Sequence, residues 1–187
     1  MAMNIKEILC DSLLKLSETI PLENITIKQL LDDTHISRQT FYNHFLDKND
    51  LIQYIYNYRI NANFNDPKSM QNFYDSLVLS YNNMIKYHSF LKQACKMEGQ
   101  NCLKDYILKH CEDFDLAYHQ ALYGDTPMPE ALQFATKYHA NASSNMTLSW
   151  ILSDMPVSSE DLASLIVKMR SLGMAELFKN GKLNPYQ

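Results

Sequence analysis

The sequence predicts an all-α fold of about nine helices, and three observations carry that prediction. Apolar residues make up 46% of the 187-residue chain, with only 4 Gly and 6 Pro, a composition suited to a compact helical protein. Those residues recur three and four apart in one segment after another, the period of a helix packed on one face. Between the segments stand helix-opening Ser, Thr or Asp and helix-closing Gly or Pro. The length suffices for one ordinary core, or for two small ones sharing a long helix.

Residues 4–20 set Ile5, Ile8, Leu9, Leu13, Leu16 and Ile20 along one stripe, and Pro21 ends the helix. Thr26 is suited to cap a second helix: its hydroxyl can accept from an orphan N–H, while Gln29, three residues on, can reach back. Ile27, Leu30 and Leu31 form that helix's apolar stripe. Ser37 opens a third helix that carries Arg38, Gln39, Thr40, Tyr42, Asn43 and His44, with Phe41 and Phe45 four apart and turned inward. His35 sits in the turn between them, at a position expected to need positive φ, which glycine takes freely and His only at a cost. Asp47 then caps a helix whose stripe Leu51, Ile52, Ile55, Tyr58 and Ile60 runs to about Phe64, so one long connecting helix is expected over 47–64.

Asn65-Asp66-Pro67 is the first strong break, because the residue before Pro is driven out of the helical region. Ser69 opens a fifth helix with Phe73, Leu77, Tyr81, Met84 and Ile85 at helical spacing, ending near His88. Phe90 to Met97 reads as a short helix interrupted by Gly99. Leu103, Tyr106, Ile107, His110, Phe114, Ala117 and Ala121 mark a seventh, and Tyr123 to Pro127 a loop. After Pro129 a long helix is expected to about Ser153, with Ala131, Phe134, Ala135, Tyr138, Ala142, Met146, Ser149 and Trp150 near one face. Ser158 or Ser159 caps the last helix with Asp161 as the capping-box acid, and Leu162, Leu165, Ile166, Met169 and Leu172 precede Gly173. Ala135, Tyr138, Ala142, Leu162, Leu165, Ile166 and Met169 exceed what one small body must bury, which makes them a candidate dimer interface in which two copies form a four-helix bundle.

The two short helices over Ile25–Leu51, ITIKQLLDDTHISRQTFYNHFLDKNDL, have the form of a helix-turn-helix, whose second helix presents hydrogen-bonding side chains to the DNA major groove. Arg38 and Gln39 suit base edges, guanine and adenine respectively, whereas Thr40, Tyr42, His44 and Lys48 suit phosphates. Lys28, Ser37 and Asn43 complete the candidate DNA-binding set. Overall charge lends no support: the net charge is −4, and residues 1–65 hold six Lys/Arg against eight Asp/Glu. Local placement has to carry the contact, with a modest salt dependence.

ITIKQLL, then ISRQTFYNHFLDKNDL, resembles the DNA-binding signature of TetR-family transcriptional regulators, in which a TFY-x-HF core is followed by a Lys and an apolar residue. The resemblance covers about a quarter of the chain and departs from the family pattern at His35, where Gly is usual. RQTFYNHF with a non-glycine turn is most similar to the subgroup containing activators of dihydroxyacetone kinase operons. It implies a helix-turn-helix domain over 1–46, a helical effector-binding and dimerisation domain over 47–187, and a homodimer on a palindromic operator of double-stranded DNA. The effector it implies is an unknown small molecule, or a co-regulator protein, in or on the second domain. Tyr81, Met84, Tyr106, His110, Phe114, Tyr138 and Trp150 are the candidate effector-pocket residues, since the body is rich in Tyr, Phe and Met that a core also uses.

The alternatives are a helical protein–protein module, or an enzyme. No Gly-rich phosphate loop, nucleophile elbow or paired-carboxylate motif is present, so no catalytic residue is assigned and the chain is not expected to be an enzyme. Cys10, Cys95, Cys102 and Cys111 lack zinc or redox spacing, and no metal or cofactor is expected. No run approaches the roughly 20 apolar residues of a membrane span, and no signal pattern opens the chain, so a cytoplasmic location without membrane contact is expected.

Overall fold

The computed structural model describes residues 4–65 and 72–174, and within them the chain forms nine α-helices and no strand. The first four helices each start at their own side-chain cap. Helix α1 (Ile5–Ser17) starts at Asn4, whose side chain accepts from the Lys6 N–H, and stops a turn earlier than residues 4–20 suggested. A 3₁₀ turn, Leu22–Asn24, follows. Helix α2 (Ile27–Thr34) carries the full capping box: the Gln29 N–H donates to Thr26 Oγ1 at 3.2 Å, and the Thr26 N–H donates to Gln29 Oε1 at 2.8 Å. It ends on His35 in the left-handed region (φ 56°), as its position in the turn required. Helix α3 (Arg38–Tyr42) is capped by Ser37, whose Oγ accepts from the Thr40 N–H at 3.1 Å. Helix α4 (Lys48–Ile55) is capped by Asp47, which accepts from the Asp50 N–H at 2.8 Å.

The single helix expected over 47–64 is instead α4, a π-turn at Tyr56–Ile60 and a 3₁₀ turn at Ala62–Phe64. The wide turn makes the buried step five residues long: Ile55 and Ile60 both point inward, and Tyr58, expected in the stripe, is 59% exposed. Arg59 then lies alongside α1, where it pairs with Asp11 at 2.6 Å and with Glu7.

Asp66, Pro67 and Ser69, expected to form the break and the next cap, lie outside the described residues. Helix α5 (Phe73–Lys86) starts at Asn72, whose side chain accepts from the Asp75 N–H, and buries Phe73, Leu77, Tyr81 and Met84, while Ile85 is exposed. Helices α6 (His88–Lys96), α7 (Leu103–Tyr123), α8 (Glu130–Leu152) and α9 (Ser159–Met174) complete the body. Ser158 caps α9, accepting from the Asp161 N–H at 3.0 Å and donating to its carboxylate at 2.8 Å. On α7, Tyr118 takes the buried place, and Ala117 and Ala121 face out.

Helix α8 turns most of the expected face outward. It buries Leu132, Thr136, Ala140, Ser144, Thr147, Leu148 and Ile151, and exposes Phe134, Tyr138 and Met146; of the expected face Trp150 is buried. The inward hydroxyls bond within the helix, Thr136 to the Leu132 carbonyl at 2.7 Å and Ser144 to that of Ala140 at 2.5 Å, so their burial leaves no donor unsatisfied. Small side chains there let α7 and α8 lie close along their lengths. The apolar core is continuous, from Leu9, Leu30 and Phe41 through Ile55 to Ile107, Leu148 and Ile166.

Candidate nucleic-acid interface and effector cavity

Phe41 is fully buried and Phe45 nearly so, with ring centroids 5.9 Å apart, and together they fix the inner face of α3. Ser37, Arg38, Gln39, Tyr42, Asn43 and His44 are therefore turned to solvent, as is Lys28 on α2. The Gln39, Asn43 and His44 side chains make no hydrogen bond among the described residues, whereas Arg38 stacks on Tyr42, 5.6 Å from its ring centroid. Thr40 is half-buried and shares a 2.8 Å bond with the Ser37 hydroxyl.

Lys48 differs from expectation. Its Nζ donates to the carbonyls of Leu22 (2.7 Å), Glu23 (3.0 Å) and Ile25 (2.7 Å), so all three N–H groups bind the turn ahead of α2 rather than standing free for a phosphate. Burial holds its pKa below the usual lysine value, with Glu23 acting in the opposite sense. Its sequence neighbours gave no sign of this, because the partners lie more than twenty residues away.

In the body, a cavity of about 60 Å³ lies between α5, α7, α8, α9 and the π-turn. Of the expected pocket residues, Tyr81, Met84, His110 and Phe114 line it. Three do not. Tyr106 stacks on His110 (5.6 Å, 13° between planes) and bonds to the Asn57 side chain; Tyr138 is 64% exposed on the outer face of α8; Trp150 lies behind Tyr81 and donates to the Val157 carbonyl at 3.0 Å. Sequence reasoning missed the cavity's charged wall. Arg170 Nη2 lies 2.6 Å from Asp115 Oδ2, both side chains only 5% exposed, while its Nε donates to Ser143 Oγ at 3.0 Å and its guanidinium covers the Phe73 ring. An Arg amid an apolar stripe, between Met169 and Ser171, is a weak sign that a partner carboxylate waits elsewhere.

Burial shapes the titration of this region. The His110 ring is held below the usual histidine value by burial, the Phe64 carbonyl opposing, and its Nε2 is buried without a hydrogen-bond partner. His119, bonded through Nδ1 to Thr136 Oγ1 at 2.9 Å, is pushed down to about 4, mainly by burial. An unfolded chain would bind a proton at His119 near pH 6.5, and the folded one only near 4. Stability from this residue is therefore complete above pH 6.5 and is lost as pH falls through that window, by on the order of 3 kcal/mol. Denaturant unfolding of His119→Gln against the parent chain between pH 4 and 7 checks this: the parent should lose stability more steeply, and parallel profiles would refute it.

On the outer surface, Phe134, Tyr138, Ala142 and Met146 of α8 and Leu165, Met169 and Leu172 of α9 are exposed. Of the expected dimer residues, Leu162 and Ile166 belong to the interior at 5% exposure each, because the α9 stripe divides between two faces, and Ala135 on α8 is half-buried. Among the described residues no helix is long and apolar enough to cross a membrane.

The family model described as "Transcriptional regulator C-terminal region", of the TetR type, matches residues 71–171, more than half of the chain. No curated protein matches the sequence. Solved structures share the fold, two of them as follows. The dihydroxyacetone kinase operon activator DhaS is 20% identical with a TM-score of 0.66, over 92% of this chain and 95% of its own. A TetR-family transcriptional regulator from Syntrophomonas wolfei str. Goettingen is 13% identical with a TM-score of 0.57, over 90% and 94%. The chain belongs to the TetR family of transcriptional regulators.

Proposed function

We propose that this regulator reads a palindromic DNA operator as a homodimer, with residues 1–46 as the reading head, and that an effector acting on residues 47–187 alters its hold on DNA. The observation that carries the reading is α3: a short helix locked by Phe41 and Phe45 that turns Arg38, Gln39, Asn43 and His44 to solvent without internal partners for the last three. Selection from random DNA should return an enriched palindrome, and no enrichment would end this proposal. Arg38→Ala or Gln39→Ala should each cost about 1–3 kcal/mol of operator affinity and relax preference at particular base pairs, measured by binding to single-base operator variants.

Dimerisation is supported by the exposed apolar residues on α8 and α9, which a second copy would cover in a four-helix bundle. The effector cavity is neutral overall, because Arg170 and Asp115 compensate each other, so an ionised ligand would bring an unpaired charge into it. At about 60 Å³ it is also far below the roughly 300–1,000 Å³ of drug-sized sites. That size favours a very small neutral effector, or a second reading in which a co-regulator protein acts and the chain, like its structural neighbour by name, is an activator. Operator affinity measured with and without a candidate effector separates inducer from co-activator.

A further inference from the structure

The turn that precedes the helix-turn-helix is gripped from two sides. From α4, Lys48 holds the carbonyls of Leu22, Glu23 and Ile25. From α6, the Gln93 side chain accepts from the Leu22 N–H at 2.8 Å and donates to the Ser17 carbonyl at the end of α1 at 3.2 Å. Leu22 and Ile25 are each 1% exposed, so the held segment is packed into the core as well as bonded. Helix α6 is fixed in turn to the far end of α8: Lys92 bonds to Asp154, and His88 Nε2 lies 3.4 Å from the same carboxylate. Asp154 and Met155 take left-handed φ values of 64° and 53° at that corner. Helix α8 itself supplies Ala140, Ser144 and Thr147 to the cavity wall. Helix α8, the contact of Asp154 with Lys92, helix α6 and the two Gln93 bonds thus connect the cavity wall to the turn by a route that does not pass through α4.

We infer that Gln93 is a positioning residue for operator reading: with Lys48 it pins the 22–24 turn between α6 and α4, so that α6 is a second lever setting the pitch of the recognition helix relative to the body. This rests on the proposed operator reading. A hydrogen-bonded pin fixes direction where apolar packing alone permits sliding, since each bond requires donor and acceptor to stay aligned. In a dimer, the pitch of the two heads selects half-site spacing. One base pair moves a half-site by roughly 3.4 Å and turns it by about 35°, which a rigidly held head cannot follow.

The test compares the parent with Gln93→Met, which keeps the side chain's bulk and removes both bonds, and with Gln93→Glu, which keeps only the acceptor for Leu22. Each is titrated with the selected operator and with versions whose half-sites are moved by one base pair. The parent should discriminate against the shifted operators by about tenfold or more; Gln93→Met should discriminate less than about threefold at unchanged half-site affinity, with Gln93→Glu between them. A Met variant with the parent's spacing preference overturns the inference while leaving the operator reading intact. If the parent enriches no operator, the operator reading fails, and a distance measurement still decides the inference. Spin labels at Asp32→Cys and Lys104→Cys in a Cys111→Ser background, on chains diluted into unlabelled protein, should give a broader head-to-body distance distribution in Gln93→Met than in the parent. Identical distributions overturn it.

Discussion

Arg170→Ala should destabilise the body by about 3–5 kcal/mol, because it leaves Asp115 as a buried, uncompensated carboxylate. The pair sits at 5% exposure on both sides, and Arg170 also satisfies Ser143 and covers Phe73, so water cannot take its place without opening the cavity wall. The double replacement Arg170→Met with Asp115→Leu removes both charges together and should recover most of that loss, since a buried pair contributes little beyond its own desolvation. Denaturant unfolding reads both as shifts in midpoint at unchanged slope. A single variant within about 1 kcal/mol of the parent would mean that the pair is solvated after all.

Phe41→Ala should cost about 3–5 kcal/mol, the usual range for emptying a fully buried aromatic site. The cavity would open beneath α3, a helix of five residues that cannot persist on propensity alone. Loss of operator binding should therefore accompany loss of α3 amide protection in hydrogen exchange. The neighbouring Gln39→Ala is the contrast: it is exposed and unpartnered, so it should alter DNA binding with a stability change inside about 0.5 kcal/mol. Equal destabilisation by the two would contradict the inward and outward assignment of this helix.

What could be read from the sequence was whatever is decided within four residues. The Thr26 and Gln29 capping box, the Ser37, Asp47 and Ser158 caps and the left-handed His35 are all local bargains between a side chain and the nearest backbone, and each is present. The inward Phe41 and Phe45 followed from spacing alone. Orientation failed where the general preference for burying large apolar groups is overridden. Helix α8 buries Thr136, Ser144 and Thr147 because their hydroxyls bond to carbonyls one turn back, which frees Phe134 and Tyr138 for the surface. The role of Lys48 was misread and Arg170 was missed for a different reason: their partners are carbonyls and a carboxylate far away in sequence, and a charged side chain carries no mark of whether its partner is a phosphate or its own chain.

The π-turn at 56–60 gives the connecting segment one residue more than an α-helix of the same span would hold. Were the turn to rewind into α geometry at fixed length, Ile60 would swing off the core by about one residue's worth of rotation, some 100°, with roughly 1.5 Å of travel along the axis. Arg59 would take the inward place and release Glu7 and Asp11 on α1. The burial of Ile60 and the grip of Arg59 on α1 are thus two pawls of one ratchet, both engaged by the wide turn and both released when it rewinds.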